Sequence, residues 1–471
     1  MAEDATPGAS DARKVPAGVY DEDGNLDRQF LNEVRDVIEE GDGPSLRERI
    51  EPLHETELGE VLENLETEER QGLVRLMGDA FDYAALTEID EGIRLEIVDA
   101  MPNERIAEAI QELDSDDAVY ILEDLEPEDR QEILEKLPFL ERLRLRRALD
   151  YPEESAGRRM QTEFVAVPPF WTVGQTIDYM REDENLPDRF AQIYVVDPSF
   201  RLLGAVDLHA VLRAKRPTTI EAIMHPTRHP IPAEMDQEEA AQIFEQYDLL
   251  SAAVVDENER LVGVLTIDDI VDVIQEEAEE DFRRLGGVGD EEISDSVRVS
   301  ARSRFPWLFV NLFTAFLAAL VIGLFDATIE QMVALAALMP IVASMGGNAA
   351  AQTMTVTVRA IATRDINIHN SGRIIRREVL VGLLNGSIIA TLLGIVAGFW
   401  TGDPEIGAVI ACAMIINMLT AALAGILIPL ILIRFGADPA LASAVFVTAI
   451  TDVVGFFGFL GLSTWWFGLA R

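Results

Sequence analysis

Apolar and polar positions are arranged in three different ways along this chain. From about residue 25 to 150, Leu, Ile and Val recur at helical spacing between runs of acids, which predicts short amphipathic helices. The pattern repeats at an offset of 60: residues 53–71 align with 113–131, and a looser copy covers 97–105. Pairs of short helices broken by an acidic turn predict a stacked, superhelical all-α domain. From about residue 156 the pattern becomes mixed. Strands over 190–197 and 202–206 precede a helix starting at Asp207, and strands over 251–256 and 261–266 repeat that order before a helix from Asp268. Beyond residue 305 come five apolar stretches, near 306–325, 329–360, 374–400, 406–433 and 440–466, each long enough to span a bilayer. The expected fold is a multidomain membrane protein. A disordered lead (1–24) precedes an acidic helical-repeat domain (25–155) and two α/β units (156–216 and 217–267). An acidic connecting helix with its linker (268–304) then leads into a five-helix transmembrane bundle (305–471).

Charge follows the same division. The net charge is −45, with 75 acids against 31 bases before Phe305 and 8 against 7 from there on. Lysine occurs only at 14, 136 and 215. Such an acidic surface suits a salt-rich solvent, where repulsion is screened, or a surface that collects divalent cations; composition leaves both open. It excludes a nucleic-acid partner. The single cysteine, Cys412, lies in an apolar stretch, so no disulfide framework is expected. The acidic start, without an apolar core, predicts no signal peptide. Bases gather before the first span (Arg298, Arg302, Arg304), between the second and third (Arg359, Arg364, Arg373, Arg376, Arg377) and after the fourth (Arg434). That alternation places the N-terminal domains in the cytoplasm and the C-terminus outside a cell membrane. Five spans cannot form a simple two-fold repeat, so a homodimer is the expected way to enclose a central path.

Few residues carry chemistry. Asp452 interrupts the last apolar stretch, and a carboxylate at that depth is kept where it faces water, an ion or a polar partner. In the second stretch, Pro340 frees a backbone carbonyl, Gly346 and Gly347 allow close approach, and Asn348 and Gln352 share one helical face. Asn417, in the fourth stretch, serves either that path or helix packing. The helix after residue 267 carries Asp268, Asp269, Asp272, Glu276, Glu277, Glu279, Glu280 and Asp281 with no base until Arg283 and Arg284. Like charges at this spacing destabilise it unless a cation or high salt relieves them. No Cys or His cluster offers a site for a softer metal, and no phosphate loop is present.

The two ββα units resemble a tandem pair of CBS domains. Within the second, Gly263, Thr266 and Asp269 are similar to the ribose and phosphate contacts of adenosine-binding members, which implies ATP or another adenine nucleotide there; the first unit, with Gly204 and Asp207, departs from that pattern. Taken together, the acidic repeat, the paired domains, the acidic connecting helix, residues 340–352, 358–365 and 438–440, and the stretch around Asp452 resemble the MgtE-type magnesium transporters. That resemblance implies no enzymatic activity. It implies a Mg²⁺ ion bound in a dimeric pore by Asp452 with the backbone oxygen of Thr448. Ala444 and Val445 stand where members often carry Gly-Pro or Asn-Pro. It also implies Mg²⁺ as regulator, bridging Asp116, Asp117, Asp236, Asp248, Asp269, Asp272, Glu277, Glu280 and Asp281 to close the pore. The expected partners are a second copy, membrane lipid and divalent cations. A Na⁺- or H⁺-coupled divalent-cation transporter is the alternative.

Overall fold

The computed structural model describes residues 18–21, 23–183, 186, 187, 189–227, 229–289, 297–363, 371–435, 438, 439 and 444–469. It divides into two compact units, Met1–Glu277 and Ala278–Arg471. The expected disordered lead lies outside the described residues up to 17, as do Arg364 and Asp365 of the 358–365 motif, Ala440 of the 438–440 motif, and residues 290–296 of the linker. Residues 18–24 correct that expectation. The Asp21 carboxylate accepts from the Asp23 and Asn25 amides at 2.9 Å each, an Asx turn that brings Tyr20 opposite Leu26 and buries Val19.

The helical repeat folds as its pattern predicts. Its helices are α1 (Arg28–Glu40), α2 (Gly43–Ile50), α3 (Glu55–Glu63), α4 (Thr67–Met77), α5 (Glu91–Asp99), α6 (Asn103–Glu112), α7 (Ser115–Glu123), α8 (Pro127–Lys136) and α9 (Phe139–Leu149). The pair α3–α4 recurs as α7–α8 in the offset read from sequence, and α5–α6 is the looser copy. Helix starts are fixed locally: His54 and Glu57 form a capping box on α3, and Pro127 opens α8. The apolar stripes meet in one core that includes Leu62, Leu73, Ile97, Ile110, Leu122 and Ile133. Arg94, 2% exposed, crosses it. Its guanidinium donates to Asp124 at 2.6 and 2.9 Å and to the carbonyls of Leu86 and Ile89 at 3.4 and 3.2 Å.

The α/β units follow as β1 (Ala166–Val167), α10 (Val173–Glu182), β2 (Gln192–Val196), β3 (Leu202–Asp207), α11 (Leu208–Arg213), β4 (Ile231–Pro232), α12 (Gln237–Tyr247), β5 (Ser251–Val255), β6 (Leu261–Thr266) and α13 (Ile267–Gly286). Each sheet has three strands: β1 runs parallel to β2, which pairs antiparallel with β3, and β4, β5 and β6 repeat this. The two-residue strands β1 and β4 are too short to show a period and are absent from the sequence reading. The sheets share a small core of Tyr194, Val196, Ala205, Ala253, Leu261 and Val264. The Tyr194 hydroxyl lies 2.6 Å from that of Ser251.

The second unit holds α14 (Val297–Gly323), α15 (Asp326–Gln331), α16 (Ala334–Ala362), α17 (Ser371–Thr401), α18 (Pro404–Arg434) and α19 (Ala444–Phe467). Among the described residues five of these are long and apolar enough to cross a membrane. Two expected boundaries move. The first span begins inside the presumed linker, at Val297, and the second apolar stretch splits into α15 and α16. Helix α18 is central, packing on α16, α17 and α19, while α14 packs on α19. Its backbone comes so near that of α17 that a Cβ on Gly394 would lie 2.8 Å from the Gly407 carbonyl oxygen. The last turn of α13 also belongs to this unit: Arg284 pairs with Glu280 and Asp438. Leu285 packs on the cluster of Ala350, Met354, Val358 and Val447.

Replacing Arg94 by Ala strands the half-buried Asp124 and two carbonyls. The expected loss is about 2–4 kcal/mol of stability of the first unit, read from the urea midpoint of Met1–Glu277 followed by tyrosine fluorescence.

Candidate functional site

In the second unit, the residues singled out from sequence fall into two groups. Gly346, Gly347, Asn417 and Thr448 come together where α16, α18 and α19 cross. A Cβ on Gly346 would overlap Asn417 Nδ2, and one on Gly347 would sit 3.2 Å from Thr448 Cγ2. Asn417 is fully buried, and its Nδ2 donates to the Val342 carbonyl at 2.9 Å. Its Oδ1 is buried without a hydrogen-bond partner among the described residues. Asn417 therefore sits inside this chain's own helix packing, between Gly346 and Gly455. Asn348 and Gln352, by contrast, stand exposed on α16, and Asp452 is half-buried on α19. The single chain leaves these three polar groups incompletely covered.

Two residues of this constellation were missed in the sequence. Thr451, fully buried, donates its hydroxyl to the Thr448 carbonyl at 2.8 Å, so this oxygen is held by a side chain one residue before Asp452. Gly455 makes the room on α19 that Asn417 occupies, with a would-be Cβ 2.7 Å from Nδ2. The threonine spacing, three residues on a helix, was a readable signal for back-bonding to the preceding turn. Nothing local marked Gly455.

In the first unit, Asp116 and Asp117 in the first turn of α7 meet Asp269 in the first turn of α13. Burial pushes the Asp116 carboxyl well above the usual carboxylate range, and the charges of Asp269 and Asp117 push the same way. One of its oxygens is buried without a hydrogen-bond partner among the described residues. Burial, then the charges of Asp114 and Asp269, raises Asp117 to about 7. Asp269 is raised to about 6 by burial, although the Thr266 hydroxyl donates to it and pulls the other way. Asp272 is raised by burial and by Glu88. Glu276 is raised by burial too, but Arg159 reaches it at 2.5 Å and opposes the shift. The Glu277 carboxylate accepts from Gln237 at 2.7 Å.

The remaining candidates are placed elsewhere. Asp236 caps α12, accepting from the Glu238 amide at 2.9 Å, and Asp248 ends the same helix with φ of 51°. Glu280 holds Arg284, and Asp281 lies on the last part of α13. Among the described residues no three acid, His or Cys side chains converge as metal ligands. The nucleotide candidates are engaged within the chain: the space Gly263 leaves is filled by Met160 Sδ, and Thr266 is bound to Asp269.

Comparison with known proteins connects these parts. A family model described as a divalent cation transporter, MgtE, matches residues 339–462, one for the MgtE intracellular N domain matches 53–154, and the CBS domain matches 156–216 and 220–276. The magnesium transporter MgtE of Thermus thermophilus is 30% identical over 458 residues, 93% of this chain and 98% of the relative. That of Bacillus subtilis is 31% identical over 378 residues, 80% and 84% of the two chains. The chain belongs to the MgtE family. Among solved structures it is similar to the cytosolic domain of the Mg²⁺ channel MgtE in complex with ATP, at 29% identity and a TM-score of 0.48 over 52% of this chain and 99% of that one. As an MgtE protein it is a multi-pass membrane transporter and not an enzyme.

Two outcomes follow for this MgtE chain. The raised acids bind an extra proton in the folded state between the unfolded value of 3.8 and about 6–7, so their contribution to stability falls as pH rises through that window. Asp269→Asn is therefore expected to stabilise the first unit by about 1–3 kcal/mol at pH 8 and to give no gain near pH 4, measured by thermal unfolding at both. In the membrane unit, Gly346→Ala drives a methyl into Asn417 and should cost about 1–3 kcal/mol. Adding Asn417→Ala should restore the detergent-phase melting temperature above that of Gly346→Ala alone, as a double-mutant cycle would record.

Proposed function

We propose that this chain moves Mg²⁺ through a channel-like pore between two copies, closed by Mg²⁺ bound to its extramembrane domains. Transport of Mg²⁺ itself follows from family membership. The pore assignment rests on one observation: Asp452, Asn348 and Gln352 are polar groups on two packed membrane helices that a single chain leaves uncovered. In hydrocarbon such groups need a wet path or a partner, and a second copy on this face supplies both. Mg²⁺ gives up its water reluctantly, so Asp452, with the Thr448 carbonyl one turn away, would hold the hydrated ion from outside its water shell. With the first unit in the cytoplasm and the C-terminus outside, an inside-negative potential of 100 mV supplies about 4.6 kcal/mol per divalent ion.

Closure is assigned to the acids around α13. At neutral pH the Asp116, Asp117 and Asp269 group either keeps protons or takes a cation. One or two carboxylates on a mostly hydrated Mg²⁺ fit the absence, among the described residues, of any three converging ligands. The last turn of the same helix lies against α16 and α19 through Leu285, with Arg284 on Asp438. An adenine nucleotide using Thr266 and Asp269 would have to displace both from their present bonds, so nucleotide and closed acid cluster would compete.

The test is Mg²⁺ uptake into proteoliposomes at fixed internal Mg²⁺. Asp452→Ala should abolish uptake and Asp452→Glu retain part of it. Arg284→Ala should shift inhibition by internal Mg²⁺ to higher concentration, by on the order of tenfold for the loss of a charge-assisted pair. Uptake unchanged in Asp452→Ala would overturn the pore. A reversal potential that follows Na⁺ or H⁺ would replace the channel by a coupled carrier.

A further inference from the structure

At the start of α17, Arg373, Arg376, Arg377, Leu380, Val381 and Leu384 line a groove of about 330 Å³. Their spacing places three guanidinium groups above an apolar strip on one flank of the helix. All three arginines are exposed, and Leu380, Val381 and Leu384 are 59%, 42% and 65% exposed. Glu378, the acid in this turn, is buried and approaches Arg377 at 3.9 Å. Arg373 and Arg376 have no acidic partner within ion-pair distance among the described residues. In a chain of net charge −45, three adjacent exposed bases, two of them without a counter-ion among the described residues, stand out.

The helix itself fixes their depth. From Leu380 to Phe399 is about 28 Å of helix at 1.5 Å per residue, close to the ~30 Å of the hydrocarbon layer. Exposed Phe399 and Trp400 mark the opposite interface. The arginines therefore lie at the level of the lipid phosphates, and the apolar strip starts where acyl chains start. A topological role alone asks for positive charge near the membrane; it does not ask for the three arginines to share one flank of the helix with an exposed apolar strip.

We propose that this groove binds one anionic phospholipid, its phosphate held by Arg373, Arg376 and Arg377 and an acyl chain laid along Leu380, Val381 and Leu384. Guanidinium groups pair with phosphate oxygens by two parallel N–H donors, and basic pockets beside membrane helices take anionic head groups. The assignment depends on α17 spanning the membrane and not on which ion the protein carries.

Native mass spectrometry of the detergent-solubilised full chain, titrated with dioleoylphosphatidylglycerol or dioleoylphosphatidylcholine, tests it. The expected result is retention of one phosphatidylglycerol per chain and discrimination against phosphatidylcholine. The triple variant R373Q/R376Q/R377Q should bind it on the order of a hundredfold more weakly, at about fivefold per arginine. The pair L380W/L384W keeps the charge and fills the groove, and should also lose the lipid. Equal retention of both lipids by the wild type overturns the proposal without any variant. So does undiminished binding in L380W/L384W, or full competition by soluble glycerophosphate, which would leave an anion site without an acyl groove. Absence of bound lipid from the wild type, as when a second copy covers this flank, overturns it too.

Discussion

The first unit is constrained by a group of acids held where negative charge is costly. Asp116 and Asp269 begin two helices, and the fold presses their carboxyl groups together with Asp117 beside them. Helix N-termini favour negative charge, but burial and a like charge in the same place disfavour it, and the raised carboxyl values show which effect wins. Elsewhere the fold resolves the same problem with arginine. Arg94 holds Asp124 at 2.6 Å, Arg159 holds Glu276 at 2.5 Å, and Arg158 approaches Glu123 at 3.4 Å. Among the described residues no arginine forms an ion pair with Asp116, Asp117 or Asp269. An acidic domain that spends its scarce bases on neighbouring acids and leaves this group to protons or solvent cations has a place where solution conditions act on structure.

The membrane unit is constrained by the opposite scarcity, of polar partners. An amide in hydrocarbon with one unsatisfied oxygen costs about 1–3 kcal/mol, so Asn417 needs a reason to be there. Its donor reaches the Val342 carbonyl on α16. The small residues on either side fit its bulk: Gly346 and Gly455 leave no space for a side chain of their own. A leucine would fill the volume without the penalty and without the tie between α16 and α18. The amide therefore ties α18 to α16, and Gly347 separately lies against Thr448 on the helix that carries Asp452.

What could be read from sequence depended on whether the signal was periodic. The 60-residue offset foretold α3–α4 and α7–α8, because each pair repeats a whole amphipathic pattern. The long strands β2, β3, β5 and β6 were legible for the same reason, and β1 and β4 were not, since two residues have no period. Glycines show what spacing leaves out. Gly263, read as a ligand contact, has the place of its missing side chain taken by Met160, more than a hundred residues away in sequence. Asn417 was left open between path and packing; its carbonyl partner is 75 positions distant and Arg284 lies 154 from Asp438. Spacing reports which side of a helix a residue is on. It does not report what stands opposite.

The magnitudes bear on whether the acid group is enough to act as a switch. An Asp269 carboxyl raised from 3.8 to about 6 carries a penalty of roughly 3 kcal/mol when ionised, and Asp117, raised to about 7, roughly 4 kcal/mol. Moving a two-state equilibrium from 1:99 to 99:1 takes about 5.5 kcal/mol. Either acid alone falls short of that, and because the charge of Asp269 is itself among what raises Asp117, the two penalties do not simply add. In the closure proposed above, a cation between α7 and α13 would be the one able to relieve both. The acids on the later part of α13 are instead paired off by arginine, Glu276 with Arg159 and Glu280 with Arg284.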